Sequence, residues 1–144
     1  MTKAVPEKLV QKEELVFIIL VLFSCAGMAI HNYVELPEMS PMNPQYLVPI
    51  VIYLILTVAW LRRRNRRRWN WLTFLWGGIQ LIIGAVLSVL PLAIWPFYPE
   101  QSTQHYLAHA AYGIAQIPLL SHTGALLFSS RRARGGDIQR NQTR

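Results

Sequence analysis

The sequence predicts an all-α integral membrane protein with four transmembrane helices in a compact bundle. Of its 144 residues, 53% are hydrophobic, which is more than a soluble domain of this length needs for its core. Apolar stretches long enough to cross a bilayer recur along the chain. Between two of them lies the run 62–68, where six of seven residues are arginine. These charges cannot enter a bilayer core, where each costs several kcal/mol, so the run separates two spans.

The first predicted span covers residues 15–34 and follows a polar segment, residues 1–14. Lysines ahead of an apolar run are also typical of a cleavable signal peptide. However, Glu13 and Glu14 interrupt the positive region that such a peptide requires, and the apolar run continues past Cys25. We therefore expect a retained transmembrane helix. The lone cysteine excludes an internal disulfide.

The second and third predicted spans cover residues 46–61 and 69–90. Residues 35–45 precede them and contain three prolines, which favour an extended loop over a helix. The arginine run joins the second span to the third, as a short loop in water or among lipid headgroups.

The fourth predicted span covers residues 105–128 and includes Pro118. An apolar, aromatic and proline-broken segment, residues 92–99, precedes it and is suited to the membrane interface. The four spans together make a transmembrane domain of residues 15–130, followed by a basic tail of residues 131–144.

The positions of the basic residues predict the orientation. All fourteen Lys and Arg residues fall in the N-terminal segment, the arginine run and the tail, and the other two loops contain none. Because basic loops stay on the cytoplasmic side, we expect a multi-pass protein of the cell membrane with both termini inside. The net charge of +7 is clustered between apolar spans, which argues against nucleic acid and favours anionic lipid headgroups. The predicted headgroup contacts are Arg62, Arg63, Arg64, Arg66, Arg67 and Arg68.

Each predicted span has one small or polar face, as a projection at 100° per residue shows. In lipid these faces must turn toward protein, because unpaired polar groups have no water to bind. From their depths, we expect Gln80 and Gln116 to share a hydrogen bond, directly or through one partner. The faces comprise Ser24, Gly27, His31 and Glu35; Tyr46, Tyr53, Thr57 and Trp60; Thr73, Gly77, Gln80, Gly84 and Ser88; and His105, His109, Tyr112, Gln116 and Thr123.

Two pairs with i,i+4 spacing fall at the outer surface: His31 with Glu35, and His105 with His109. We predict that the pairs converge. Imidazole and carboxylate ligands at this spacing can share a metal ion, and the alternative is a plain hydrogen-bond network with headgroups. We expect His122 to pack between helices rather than to ligate a haem. The candidate metal ligands are His31, Glu35, His105 and His109. The full set of candidate ligand-binding residues adds Tyr112, Gln116 and Gln80.

Two functions fit these patterns. The first is an accessory or assembly subunit of a larger membrane complex, which binds other membrane helices or a second copy through helix–helix contacts. The lack of a nucleophile–base pair, a phosphate loop or an acidic residue within the spans favours this non-enzymatic role. The alternative is a membrane-embedded binder of a cofactor or small molecule (a metal, a quinone or a haem) that uses the His/Glu/Tyr/Gln stripe.

Overall fold

The computed structural model describes residues 7–62, 64–96 and 98–142, and these form helices and no strand. Arg63, Phe97, residues 1–6 and residues 143–144 lie outside this description. A π-helical segment continues the third helix directly. The elements are α1 (Glu7–Glu35), α2 (Pro44–Leu61), α3 (Arg66–Ile79) with its π-helical segment (Gln80–Leu87), and α4 (Thr103–Gln142).

Local sequence explains where α2 and α3 begin. Asn43 caps α2 by accepting a 2.9 Å hydrogen bond from the Gln45 amide, and Pro44 fills the first helical position, where a missing N–H is tolerated. Asn65 has a left-handed backbone (φ 63°), a conformation that asparagine tolerates better than most residues. This tight turn lets α3 start at Arg66, so the second half of the arginine run is helical rather than part of a loop.

Three helical stretches are long and apolar enough to cross a membrane: Val10–Glu35, Pro44–Leu61 and Arg66–Leu87. α4 carries more polar side chains and is not among them. These polar side chains lower the overall apolarity of α4. They face protein, because α4 packs against α1, α3 and the π-helical segment. His105, His109, Tyr112, Gln116 and Thr123 are each at most 9% exposed, whereas Leu107, Ile114 and Ile117 face outward. The predicted inward face of this helix is confirmed.

The helices form a bundle in which α1 lies antiparallel beside α4. α2 contacts α1 and α3, and α3 contacts α4, so the chain order is also the order around the bundle. An aromatic core closes one end, where the Phe17 ring stacks on Trp60 with centroids 4.1 Å apart. Trp60 also donates a 2.6 Å hydrogen bond to Asn70. We call this the arginine end, and the opposite end of the bundle the histidine end.

Arg66 faces protein at the arginine end. Its guanidinium lies 4.2 Å from the centre of the Trp60 ring and pairs with Glu14 at 2.7 Å and Glu13 at 3.2 Å. The Arg66 side chain therefore ties α3 to α1 and α2, which differs from the headgroup contact expected for it. Arg62, Arg64, Arg67 and Arg68 are exposed, and the headgroup prediction continues to apply to them.

Candidate functional site

The two histidine pairs meet at the histidine end, as predicted. Because α1 and α4 are antiparallel neighbours, Glu35 reaches His105, whose Nδ1 pairs with its carboxylate. The rings of His31 and His109 lie 4.3 Å apart and those of His105 and His109 4.4 Å apart, both edge to face. We call His31, Glu35, His105 and His109 the histidine cluster.

The Nδ1 atom of each imidazole in the cluster contacts a hydrogen-bond acceptor. His105 donates to the Glu35 carboxylate, His31 donates to the Asn32 side-chain oxygen at 3.0 Å, and His109 donates to the Ala85 carbonyl at 3.2 Å. These acceptors place the proton on Nδ1. The Nε2 atoms of His31 and His105 are buried and have no hydrogen-bond partner among the described residues. In the neutral ring, such a nitrogen can accept a hydrogen bond or bind a ligand.

The π-helical segment supplies the backbone carbonyl that orients His109. The last carbonyls of a helix have no partner within it, and here side chains satisfy three of them. Ser88 donates to the Gly84 carbonyl at 2.6 Å, His109 to that of Ala85, and Trp95 to that of Leu87 at 3.1 Å. The end of the segment thus holds one histidine of the cluster in place.

Tyr112 and Gln80 form the floor of the cluster. The Tyr112 hydroxyl donates a 2.5 Å hydrogen bond to the Gln80 side-chain oxygen, and its ring centre lies 5.3 Å from that of His31. A Cβ atom at Gly84 would lie 2.9 Å from this hydroxyl, so glycine provides the room for the bond. Both side chains are buried, and they adjoin the cluster as candidate ligand contacts.

Gln116 belongs to a separate network, and its predicted hydrogen bond with Gln80 is wrong. It accepts from the Tyr53 hydroxyl at 2.7 Å and donates to the Ser24 carbonyl at 3.1 Å, so it shares no partner with Gln80 among the described residues. The physical reason is that each glutamine side chain reaches a different tyrosine. A tyrosine from another helix lies at the depth of each glutamine and donates to its side-chain oxygen.

Two openings adjoin the cluster. A groove of about 450 Å³ runs between α1 and α4, and its lining is almost entirely apolar apart from His31 and Gln104. A second pocket of about 620 Å³ lies under the loop after α1 and includes Glu35. The groove is lined by Ile30, His31, Val34, Gln104, Leu107, Ala108 and Ala111.

The metal set that the sequence predicts at the histidine cluster stays a prediction. The described residues include no group of three or more His, Cys, Asp or Glu side chains that could hold a metal ion. His122 lies away from the cluster, with its ring 6.4 Å from that of Phe17, and has an aromatic packing contact.

Asn32 is a site residue that the sequence analysis missed. It is 7% exposed, accepts from His31 and donates to the Gln45 carbonyl at 3.4 Å. The spacing of the buried residues of α1 could have identified it. Phe17, Val21, Ser24 and Met28 are buried and recur every three or four residues, and the same spacing places residue 32 on the buried face.

The comparison with known proteins finds no relative of this chain. No family model matches the chain, and neither a curated protein nor a solved structure matches it.

Proposed function

We propose that the protein binds a lipophilic small molecule at the histidine cluster, and that this ligand is of the quinone class. The observation that carries the proposal is His105, which lies in the histidine cluster, is 9% exposed and has a buried Nε2 with no partner among the described residues. An unsatisfied polar group in a membrane interior costs several kcal/mol. Buried ionisable groups within a membrane therefore mark binding sites more often than they mark packing.

The shape and chemistry of the groove favour this ligand class. Its apolar lining suits a hydrocarbon tail that enters from the bilayer, and His31 lies where a polar head group would rest. With the proton on Nδ1, the neutral His31 ring accepts a hydrogen bond from a hydroxyl, as a reduced quinone provides. Because its Nε2 is covered by neighbouring atoms, we expect the ring to turn as the head group binds.

The test is a calorimetric titration of the detergent-purified protein with a short-chain benzoquinol. We expect His31→Gln and His105→Gln to weaken binding about tenfold each, as the loss of one well-made hydrogen bond predicts. His122→Gln is the control. His122 lies on α4, like His105, and also has a buried Nε2 without a partner among the described residues, but it lies outside the cluster, so this variant should bind as the wild type does. Equal loss in all three variants would contradict the proposal. Metal content or a haem absorption band in the purified protein would favour the other cofactor classes.

We further propose that α4 is a fourth span and that both termini are cytoplasmic. The burial of its polar face supports a place inside a membrane bundle, where a helix needs less overall apolarity than one facing lipid. The restriction of every Lys and Arg to three segments supports the orientation.

A role as an accessory subunit is the second candidate, and one observation favours it. A Cβ built on Gly78 of α3 meets no atom within 4 Å, and Leu75, Ile79 and Ile82 are exposed beside it. A glycine on an outward face allows another helix to approach closely. Blue native electrophoresis of gently solubilised membranes tests this: Gly78→Leu should shift the protein from a larger complex to the monomer, whereas Ala26→Leu, on an exposed face of α1, should not.

A further inference from the structure

A small pocket at the arginine end has the chemistry of a lipid site. It has a volume of about 410 Å³ and lies along the first turns of α3. We call it the α3 pocket, and it is lined by Asn65, Arg67, Arg68, Trp71 and Leu72.

Arg67 and Arg68 supply an anion-binding rim to this pocket. Both side chains are exposed, and neither has a carboxylate partner among the described residues. Their neighbour Arg66 differs, because two glutamates take its N–H groups and it lies over Trp60. The Arg68 guanidinium lies 5.7 Å from the centre of the Trp69 ring, a contact with the ring face that uses no N–H donor. The two exposed guanidinium groups are therefore available to a phosphate, which arginine binds with more than one N–H.

Trp71 and Leu72 supply the apolar part of the pocket. Both are half-buried, and Trp71 is held by an edge-to-face contact with Phe74 at 6.0 Å. The pocket also lies at the end of the apolar stretch Arg66–Leu87, the level at which tryptophans meet lipid headgroups. A cationic rim above an apolar wall at this depth matches an anionic amphiphile better than a free ion.

We propose that the α3 pocket binds one anionic phospholipid, with its phosphate between Arg67 and Arg68 and an acyl chain along Trp71 and Leu72. This site is independent of the histidine cluster and of any ligand there. A basic side chain near a membrane surface strengthens the binding of anionic lipid about fivefold, so two account for a preference of about thirtyfold over a zwitterionic lipid.

The experiment is native mass spectrometry of the detergent-purified full chain, titrated with phosphatidylglycerol and, separately, with phosphatidylcholine. We expect the wild type to prefer phosphatidylglycerol about thirtyfold. The double variant Arg67→Gln/Arg68→Gln should lose that preference. The matched double variant Arg62→Gln/Arg64→Gln removes the same charge from exposed arginines outside the pocket. These arginines attract headgroups only diffusely, so the variant should retain most of the preference. Circular dichroism of both variants checks that the helices are intact.

Four results would overturn the proposal. The first is a wild type without a preference, and the second is an equal loss in both double variants, which would indicate diffuse attraction to the whole basic surface. The third concerns the acyl chain. Trp71→Ala should weaken the binding of phosphatidylglycerol and of phosphatidylcholine alike, and an unchanged affinity for both lipids would show that Trp71 does not contact the acyl chain. Displacement of the lipid by inorganic phosphate at equal concentration would likewise show that the pocket recognises a phosphate ion instead of a lipid.

Discussion

At the scale of single residues, aromatic side chains satisfy most of the buried side-chain amides of the bundle. Tyr112 binds Gln80, Tyr53 binds Gln116, and Trp60 binds Asn70, with distances from 2.5 to 2.7 Å. Each pair joins two different helices. A long aromatic side chain reaches across the bundle and donates one hydrogen bond to an amide oxygen that cannot bind water inside the membrane. These pairs therefore set both the depth and the rotation of the helices they join.

Tyr53→Phe tests one such pair. The substitution removes the hydroxyl that donates to Gln116 and leaves a buried oxygen with one partner fewer. We expect the free energy of unfolding to fall by about 0.5–2 kcal/mol, the range for such bonds in membrane proteins. Denaturant unfolding in mixed micelles measures it. Tyr46→Phe on the same helix should change stability by much less, because Tyr46 is only half-buried.

At the scale of helices, the close approach of α1 to α4 positions the site. Ser24 donates to the Ala115 carbonyl at 3.2 Å, and a Cβ on Gly27 would clash with the Ala115 side chain. The absence of that Cβ lets the two backbones approach, and the same contact sets the register that places Glu35 beside His105. A small residue in the middle of α1 therefore determines the geometry at its end.

Gly27→Ala and Gly78→Ala should change stability in opposite directions. Alanine favours a helix over glycine by about 1 kcal/mol, and at Gly78 nothing within 4 Å opposes the added methyl group. At Gly27 the methyl must push α1 from α4, with an expected loss of about 1–3 kcal/mol from overpacking. Thermal unfolding in detergent measures both variants, and a Gly27→Ala protein as stable as Gly78→Ala would contradict the close contact.

A second contact between helices joins α3 to α1 and α2 through Arg66. Arg66→Gln removes two partly exposed ion pairs and the contact with the Trp60 ring. We expect it to lower the free energy of unfolding by about 1–2 kcal/mol, with the effect reduced at high salt. Arg67→Gln carries the same change of charge without these contacts and should cost less than about 0.5 kcal/mol. Similar losses in both would mean that net charge, and not the contact, matters.

At the scale of the whole molecule, the bundle separates two kinds of chemistry between its ends. The arginine end carries cations and an aromatic core, whereas the histidine end carries imidazoles, a carboxylate and the apolar groove. Only one orientation keeps every basic residue on the cytoplasmic side, so the proposed topology places the histidine cluster near the outer surface.

Reporter fusions after residues 40, 65, 102 and 144 test that orientation. We expect them to report outside, inside, outside and inside, because the proposed topology keeps the arginine run in the cytoplasm. Replacing Arg62, Arg63, Arg64, Arg66, Arg67 and Arg68 with neutral residues should produce a mixed population, since five arginines near the C-terminus remain. An outside signal at residue 65 in the unaltered protein is incompatible with the topology.

The sequence by itself determined the helical class, the inward faces and the convergence of the two histidine pairs. Apolar length predicts spans, and an angular step of 100° per residue assigns a side chain to a face without knowledge of its neighbour. This is why the stripe of α4 is buried as predicted and why His31 lies beside His109.

Only the tertiary structure decided which partner each inward residue meets. Gln80 and Gln116 were correctly placed inside, but tyrosines on other helices donate to their side-chain oxygens. The tertiary structure also brings Arg66 against two glutamates and the Trp60 ring, contacts that a projection of one helix does not give. A single helix projection gives the face and depth of a residue, whereas a hydrogen bond needs the distance and rotation between two helices, and packing across the whole bundle sets these.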